Sequence, residues 1–490
     1  MRMPLLKMIP VLLCAYLALA CTQASQGTAA DDFFNGFIAV LNKGDHDGIA
    51  AFVTAHFASG PNPETRVART EQLAKQGAPF QLRKTKVISP TMLSALVDDA
   101  HGMSLTMRAH LNDAQKVDRL MVAPGEAFDE APPKDYSGWK DLATLVSDVR
   151  SDTGCPAMVV ATIHDGQMSQ SVSGERVLGK NDPARVDDVW SIGSIGKPLC
   201  STVIGRLIEM GKLNWDTTLA DALPGVPMRP EYKAVTFEQI MHQRGGIPQD
   251  LDFQGSDIKR IVAGATEPMT IRLNYAKDIL SREPIGKPGE KFAYSNAGYA
   301  LLGVIAERAM NKPYEQLVKE LVFKPLGLSH SFTNADKLPE GRPSGHMPGP
   351  KGLEPVNFGG PLEIMCAPAG GGMYMSAGDL AKFGAAHLKG LRGEDGLLKS
   401  ATVLRLHEAL PADGIDYACG WGVETNPGIE KFHGHNGSNG TFRAQLCVFP
   451  KANLVITGFV NCGGENEPSP PLQAALAIAG RFAPASDAGK

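Results

Sequence analysis

Ser194 and Lys197 stand three residues apart in Trp190-Ser191-Ile192-Gly193-Ser194-Ile195-Gly196-Lys197, just before an apolar run of helical period that reaches Met210. Residues i and i+3 share one face of a helix, so a serine opening that helix would hold its hydroxyl against the amine one turn on. A hydroxyl beside an amine is a nucleophile with its own base. Lysine titrates near ~10.4 in water, so a lysine base at neutral pH needs burial and nearby positive potential. The unpaired N–H groups of a helix opening can also stabilise the oxyanion formed when a carbonyl is attacked. Pro198 fits a first turn, where an N–H has no intrahelical partner to lose. Ser-x-x-Lys recurs at Ser137 with Lys140 and at Ser256 with Lys259, where a solvated pair is the simpler reading. Only the Ser194 copy combines flanking glycines, a preceding strand-like segment and a long apolar helix.

Two further groups could complete such a site. Tyr294-Ser295-Asn296 follows the turn Lys287-Pro288-Gly289 and precedes a helical pattern over 299–310; none of the other eight tyrosines begins a Tyr-x-Asn. There Tyr294 could share protons with the nucleophile and leaving group, and Asn296 could hold a substrate amide. Taken alone, these residues would read as a loop capping the next helix. His435-Asn436-Gly437-Ser438 precedes a strand pattern at 442–449. On a sheet edge its backbone could align a substrate, with the Ser438 N–H completing an oxyanion pair with that of Ser194.

The elements that must position these groups follow from patterning. The chain has 490 residues, 43% hydrophobic and 20% charged, with net charge −4, which suits two or three globular domains and gives no hint of a nucleic-acid partner. Residues 1–21 join Arg2 and Lys7 to an apolar stretch ending Ala18-Leu19-Ala20-Cys21, an export signal. It predicts a periplasmic or secreted protein, with membrane attachment through a lipidated Cys21 as the second processing route. Six cysteines remain beyond residue 21 with no Cys-x-x-Cys. An exported protein permits disulfides among them, but buried free thiols are the default expectation.

Residues 31–126 read as a small α+β domain: an amphipathic helix over 32–41, a second ending near 57, then strands at 80–88, 93–98, 103–110 and 117–122. The pattern resembles cystatin-like or NTF2-like accessory domains, and His101 and His110 have no metal spacing. A Pro-containing linker spans 127–137. From 138 to 484 a second domain opens with a helix over 139–150, a buried strand over 156–163, a His164-Asp165-Gly166 turn and a return strand. Helical text follows from 193 to about 410, then strands at 442–449 and 454–461 and a helix over 472–482. Sheet at both ends with helices between implies one antiparallel sheet built from both termini, facing an inserted helical lobe across a cleft.

Taken in order, Ser-x-x-Lys, Tyr-x-Asn and His-x-Gly resemble the class C β-lactamase-like serine hydrolases, which include DD-peptidases, D-aminopeptidases and esterases. Met241-His242-Gln243-Arg244-Gly245-Gly246-Ile247-Pro248, Pro288-Gly289, Pro325-Leu326-Gly327-Leu328 and Ala369-Gly370-Gly371-Gly372-Met373-Tyr374-Met375-Ser376 resemble further family segments. The resemblance implies a β-lactamase/DD-peptidase-like α+β fold without metal or cofactor, and a small-molecule or short-peptide substrate. It implies that Ser194 attacks, Lys197 and Tyr294 move protons, and Asn296 with residues 435–438 binds substrate or oxyanion. Asn436 stands where the family usually has Thr or Ser, the hydroxyl that helps hold a carboxylate. Arg443 is a replacement cation or a surface residue. Gln243-Arg244, where Thr-Ser is common, implies a different entrance. The expected function is that of an exported serine hydrolase acting through an acyl-enzyme on a small ester or amide, of esterase or D-amino-acid peptide type, with β-lactam hydrolysis less favoured. The alternative is a sensor that is acylated without turnover.

Overall fold

The computed structural model describes residues 29–58, 63–89, 92–112, 115–124, 134–248, 255–349, 352–356, 359–410, 416–426, 428–464 and 468–484. The expected signal, Cys21 and most of the expected linker lie outside them. The chain divides into two compact units, Met1–Lys134 and Asp135–Lys490.

In the first unit, α1 (Ala29–Lys43) buries Phe33, Phe34, Phe37, Ile38 and Leu41 along one stripe. Phe33 and Phe37, one turn apart, stack with ring centroids 5.8 Å apart. Asp45 caps α2 (His46–His56) by accepting from the Gly48 N–H at 2.8 Å. A third helix, α3 (Pro63–Gly77), was not expected from the sequence. Its polar composition hides the short apolar stripe of Val67 and Ala74 that joins the core. Strands β1 (Gln81–Ser89), β2 (Met92–Asp98), β3 (Ser104–Leu111) and β4 (Val117–Pro124) form an antiparallel meander in that spatial order.

The second unit is built on an antiparallel sheet whose middle joins the two ends of the sequence. Helix α4 (Leu142–Asp152) leads into β5 (Ala157–His164) and β6 (Gln167–Gly174). The β5–β6 turn uses Asp165 and Gly166 at φ 48° and 78°, the left-handed pair a tight hairpin requires. Strands β7 (Asp416–Tyr417), β8 (Gly422–Glu424), β9 (Phe432–Ser438), β10 (Arg443–Phe449) and β11 (Leu454–Val460) complete a sheet of order β7-β8-β9-β10-β11-β5-β6. Strand β11 pairs with β5 from Leu454 opposite His164 to Val460 opposite Met158.

One face packs on α4 and the closing helix, Pro470–Phe482, through Leu145, Val149, Met158, Ile456, Ala475 and Ile478. The other packs on the helical lobe, where Phe383 of a helix over Ala377–Leu391 meets Leu446, Val455 and Phe459. Each large side chain so buried contributes about 1.5–3 kcal/mol, so both faces of the sheet are fixed. The expectation of free thiols fails at one pair. The β5–β11 register brings Cys155 and Cys462 to the same end of the sheet, and they form a disulfide with Cα atoms 5.7 Å apart. Cys200, Cys366, Cys419 and Cys447 are free.

Candidate active site

Ser194 does not open the long helix itself. It sits in a 3-10 turn, Gly193–Ile195, that runs into α5 (Gly196–Glu209). The turn is pressed against β9. Gly193 has φ 49°, and a Cβ there would lie 2.4 Å from the Ser438 nitrogen; a Cβ on Gly437 would lie 1.9 Å from the Ile192 carbonyl oxygen. Only glycine fits at either position. These two glycines bring the backbone nitrogens of Ser194 and Ser438 to one spot, the arrangement an oxyanion hole needs.

Lys197, in the first turn of α5, is fully buried. Its Nζ lies 3.0 Å from Ser194 Oγ, 2.6 Å from Asn296 Oδ1 and 3.4 Å from the Ala369 carbonyl. Carbonyl oxygens only accept hydrogen bonds. The three N–H groups of an ammonium match these three oxygens; with one proton given up, the two carbonyls would keep the amine aimed and its lone pair would face Ser194 Oγ. Among the described residues no carboxylate forms an ion pair with Lys197. Asn296, expected to hold substrate, turns its carbonyl to the lysine.

Asn296 opens α7 (Asn296–Met310; α6 is Pro268–Ser281), and Ser295 caps it by accepting from the Gly298 N–H at 3.0 Å. The helix thus begins three residues earlier than its apolar pattern indicates. Tyr294, just before the cap, presents its ring face to Lys197 Nζ, 4.6 Å from the centroid. Its centroid is 6.3 Å from that of His435 and 6.4 Å from that of Tyr417.

On β9 the side chains alternate. His435 and Gly437 are buried on the lobe side, and Asn436 and Ser438 are exposed on the other. His435 Nδ1 lies 2.5 Å from the Asn436 carbonyl, so that nitrogen carries the proton and donates. Nε2 then accepts from the Tyr417 hydroxyl at 3.1 Å. Burial, reinforced by the Lys197 charge, pushes His435 down to about 3. The imidazole is therefore neutral with both nitrogens engaged, and contributes orientation rather than a cation. Arg443 stands directly opposite Ser438 on β10 and is only 8% exposed, so it is not a surface residue. Tyr417 escaped sequence reading, since no local motif links it to His435.

Behind α5 runs a second buried chain. Thr202 Oγ1 donates to the Pro198 carbonyl at 2.8 Å and accepts from His387 Nε2 at 2.9 Å. His387 Nδ1 then accepts from His407 Nε2 at 3.0 Å, and His407 Nδ1 from His433 Nδ1 at 3.2 Å. Burial pushes His387 down to about 3, His433 to about 4 and His407 well below its ordinary value. The chain of neutral rings ties the nucleophile helix to the strand that carries His435.

A model of the family described as "Beta-lactamase" matches residues 142–481, well over half of the chain. The chain belongs to that family. It is the β-lactamase and penicillin-binding-protein-like group of serine hydrolases, and the antiparallel sheet with its helical lobe is the β-lactamase/DD-peptidase fold. Among β-lactamase family relatives, penicillin-binding protein 4 of Amycolatopsis lactamdurans is 25% identical over 346 residues, spanning 68% of this chain and 86% of the relative. The octameric penicillin-binding protein homologue from Pyrococcus abyssi superposes with a TM-score of 0.55 at 24% identity, covering 68% of this chain and 75% of that one. The D-amino acid amidase from Ochrobactrum anthropi SV3 does so at 0.56 and 20% identity, covering 69% of this chain and 99% of that one. These structures share the fold.

Proposed function

We propose that the protein is an exported serine hydrolase that acts through an acyl-enzyme on a small ester or amide, of the esterase or D-amino-acid peptide type. The observation that carries this reading is the buried Lys197 amine, held by two carbonyl oxygens with its remaining position 3.0 Å from Ser194 Oγ. Ser194 Oγ attacks the substrate carbonyl while Lys197 takes its proton. The N–H groups of Ser194 and Ser438 stabilise the oxyanion, and Tyr294 relays a proton to the leaving group. Water then attacks the acyl ester and restores Ser194.

Substrate choice follows from β9. The neutral His435 brings no cation and Asn436 no hydroxyl, so two of the groups that would hold a penicillin carboxylate are missing. A D-amino acid amidase and penicillin-binding proteins among the similar chains favour amide or ester chemistry of this kind. Export is supported by the apolar N-terminal segment and by the Cys155–Cys462 disulfide, a bond of oxidising compartments. The test compares p-nitrophenyl short-chain esters, D-amino-acid amides and a chromogenic cephalosporin, each with the parent protein and Ser194→Ala. Ester or amide turnover that disappears in Ser194→Ala, with the cephalosporin far slower, is the expected result. Equal rates in both proteins, or a preference for the cephalosporin, would contradict it.

A further inference from the structure

Resting on the acyl-enzyme reading of Ser194, Lys197 and Tyr294, we propose that Gln243 is a positioning residue for the reaction, clamping the backbone on either side of Tyr294. The Gln243 carbonyl accepts from the Ala293 N–H at 2.7 Å, and its side-chain Oε1 accepts from the Ser295 N–H at 2.9 Å. One residue thus holds the backbone immediately before and immediately after the tyrosine. Because Ser295 is also the cap of α7, the same contact fixes where Asn296 meets Lys197.

Gln243 adopts an unusual backbone to do this. Its φ is 59°, in the left-handed region that a side chain of this kind rarely occupies, and the residue is 2% exposed. Its amide nitrogen is buried without a hydrogen-bond partner. A left-handed backbone and an unsatisfied buried amide at one position mark local strain held for placement of other groups.

The neighbouring segment reinforces the loop by other means. The Tyr299 hydroxyl donates to the Met241 carbonyl at 2.8 Å, Ser295 Oγ to the Pro248 carbonyl at 2.6 Å, and the Gly289 N–H to the Arg244 carbonyl at 2.7 Å. Loss of the Gln243 side chain should therefore loosen Tyr294 without unfolding the loop.

The test uses steady-state hydrolysis of p-nitrophenyl acetate with thermal melting, on the full chain and on Ser194→Ala, Gln243→Leu, Gln243→Glu and Gln243→Asn. Turnover absent in the parent, or indifferent to Ser194→Ala, overturns the acyl-enzyme reading and this inference with it. With Ser194-dependent turnover established, Gln243→Leu should lower kcat on the order of 10²-fold, the effect of misplacing a reacting group by about 1 Å, with KM changed by less than about threefold. Gln243→Glu keeps the acceptor for the Ser295 N–H and should recover part of that loss. Gln243→Asn suits the left-handed backbone but is one methylene short. It should melt no lower than the parent while kcat still falls about tenfold. Leu and Asn variants with kcat unchanged would overturn the assignment of Gln243 alone. So would a loss that tracks melting temperature across all three variants, with no advantage for Glu.

Discussion

Among the described residues of the second unit two basic side chains, Arg272 and Lys197, are fully buried, and their surroundings could hardly differ more. Arg272 of α6 is gripped by two carboxylates, with Nη2 2.6 Å from Glu307 and 2.7 Å from Glu315, and donates again to the Ile364 carbonyl. Burial opposes the charge on Arg272, but Glu315 and Glu307 outweigh it and raise the guanidinium above its ordinary value. Burial in turn lifts the Glu307 carboxyl. Lys197 has three oxygen neighbours and none of them is charged. The first arrangement fixes a proton and ties α6 to α7 and to the short helix Tyr314–Val318. The second leaves a proton free to move. Burial alone therefore does not mark a functional cation; the charge of its partners does.

Removing the amine should have the largest effect. Lys197→Ala is expected to lower kcat/KM for an ester by about 10³–10⁴-fold, the scale of losing a general base, without lowering the melting temperature. Removing one partner from the other cation should reverse the pattern. Glu315→Gln leaves Arg272 under-compensated and should cost about 3–5 kcal/mol in urea unfolding, with kcat nearly unchanged in the molecules that remain folded. A third substitution makes the two sites alike. Asn296→Asp sets a carboxylate where the Oδ1 atom now lies 2.6 Å from Nζ, pinning the proton on the lysine. Activity should fall on the order of 10²-fold while stability holds or rises. Full activity in Asn296→Asp would erase the distinction between the two cations.

The buried histidines give the gentlest test. His387 and His435 are held near 3 and His433 near 4, whereas an unfolded histidine titrates near ~6.5. The unfolded chain therefore takes up protons first as pH falls. The stability these groups contribute is complete above ~6.5 and is lost as pH falls towards their folded values, by about 1.4 kcal/mol per pH unit for each histidine kept neutral. Urea midpoints measured at pH 7, 6 and 5 should decline steadily, and His387→Phe should flatten the slope. A midpoint independent of pH over that range would show that the rings are charged or solvated when folded.

The sequence carried the groups whose chemistry depends on local spacing. Ser194 and Lys197 share a turn, Tyr294 and Asn296 straddle a helix cap, and the strands of both units alternate or run apolar as their burial requires. Distant pairings were not legible. Tyr417 meets His435 only because β7, β8 and β9 are neighbours, and Cys155 meets Cys462 only because β5 pairs with β11. Gln243 drew notice as a departure from a pattern. Its role depends on a left-handed backbone and on a loop some fifty residues later, neither of which composition records. Helix α3 stayed hidden because its stripe is short and its surface polar.

The most direct test of the central claim is the mass of the protein quenched during turnover of a p-nitrophenyl ester, followed by peptide mapping. A single added acyl group on the peptide that carries Ser194, absent from Ser194→Ala, is the predicted result. Turnover with no adduct at Ser194, or with the adduct on another residue, would contradict it.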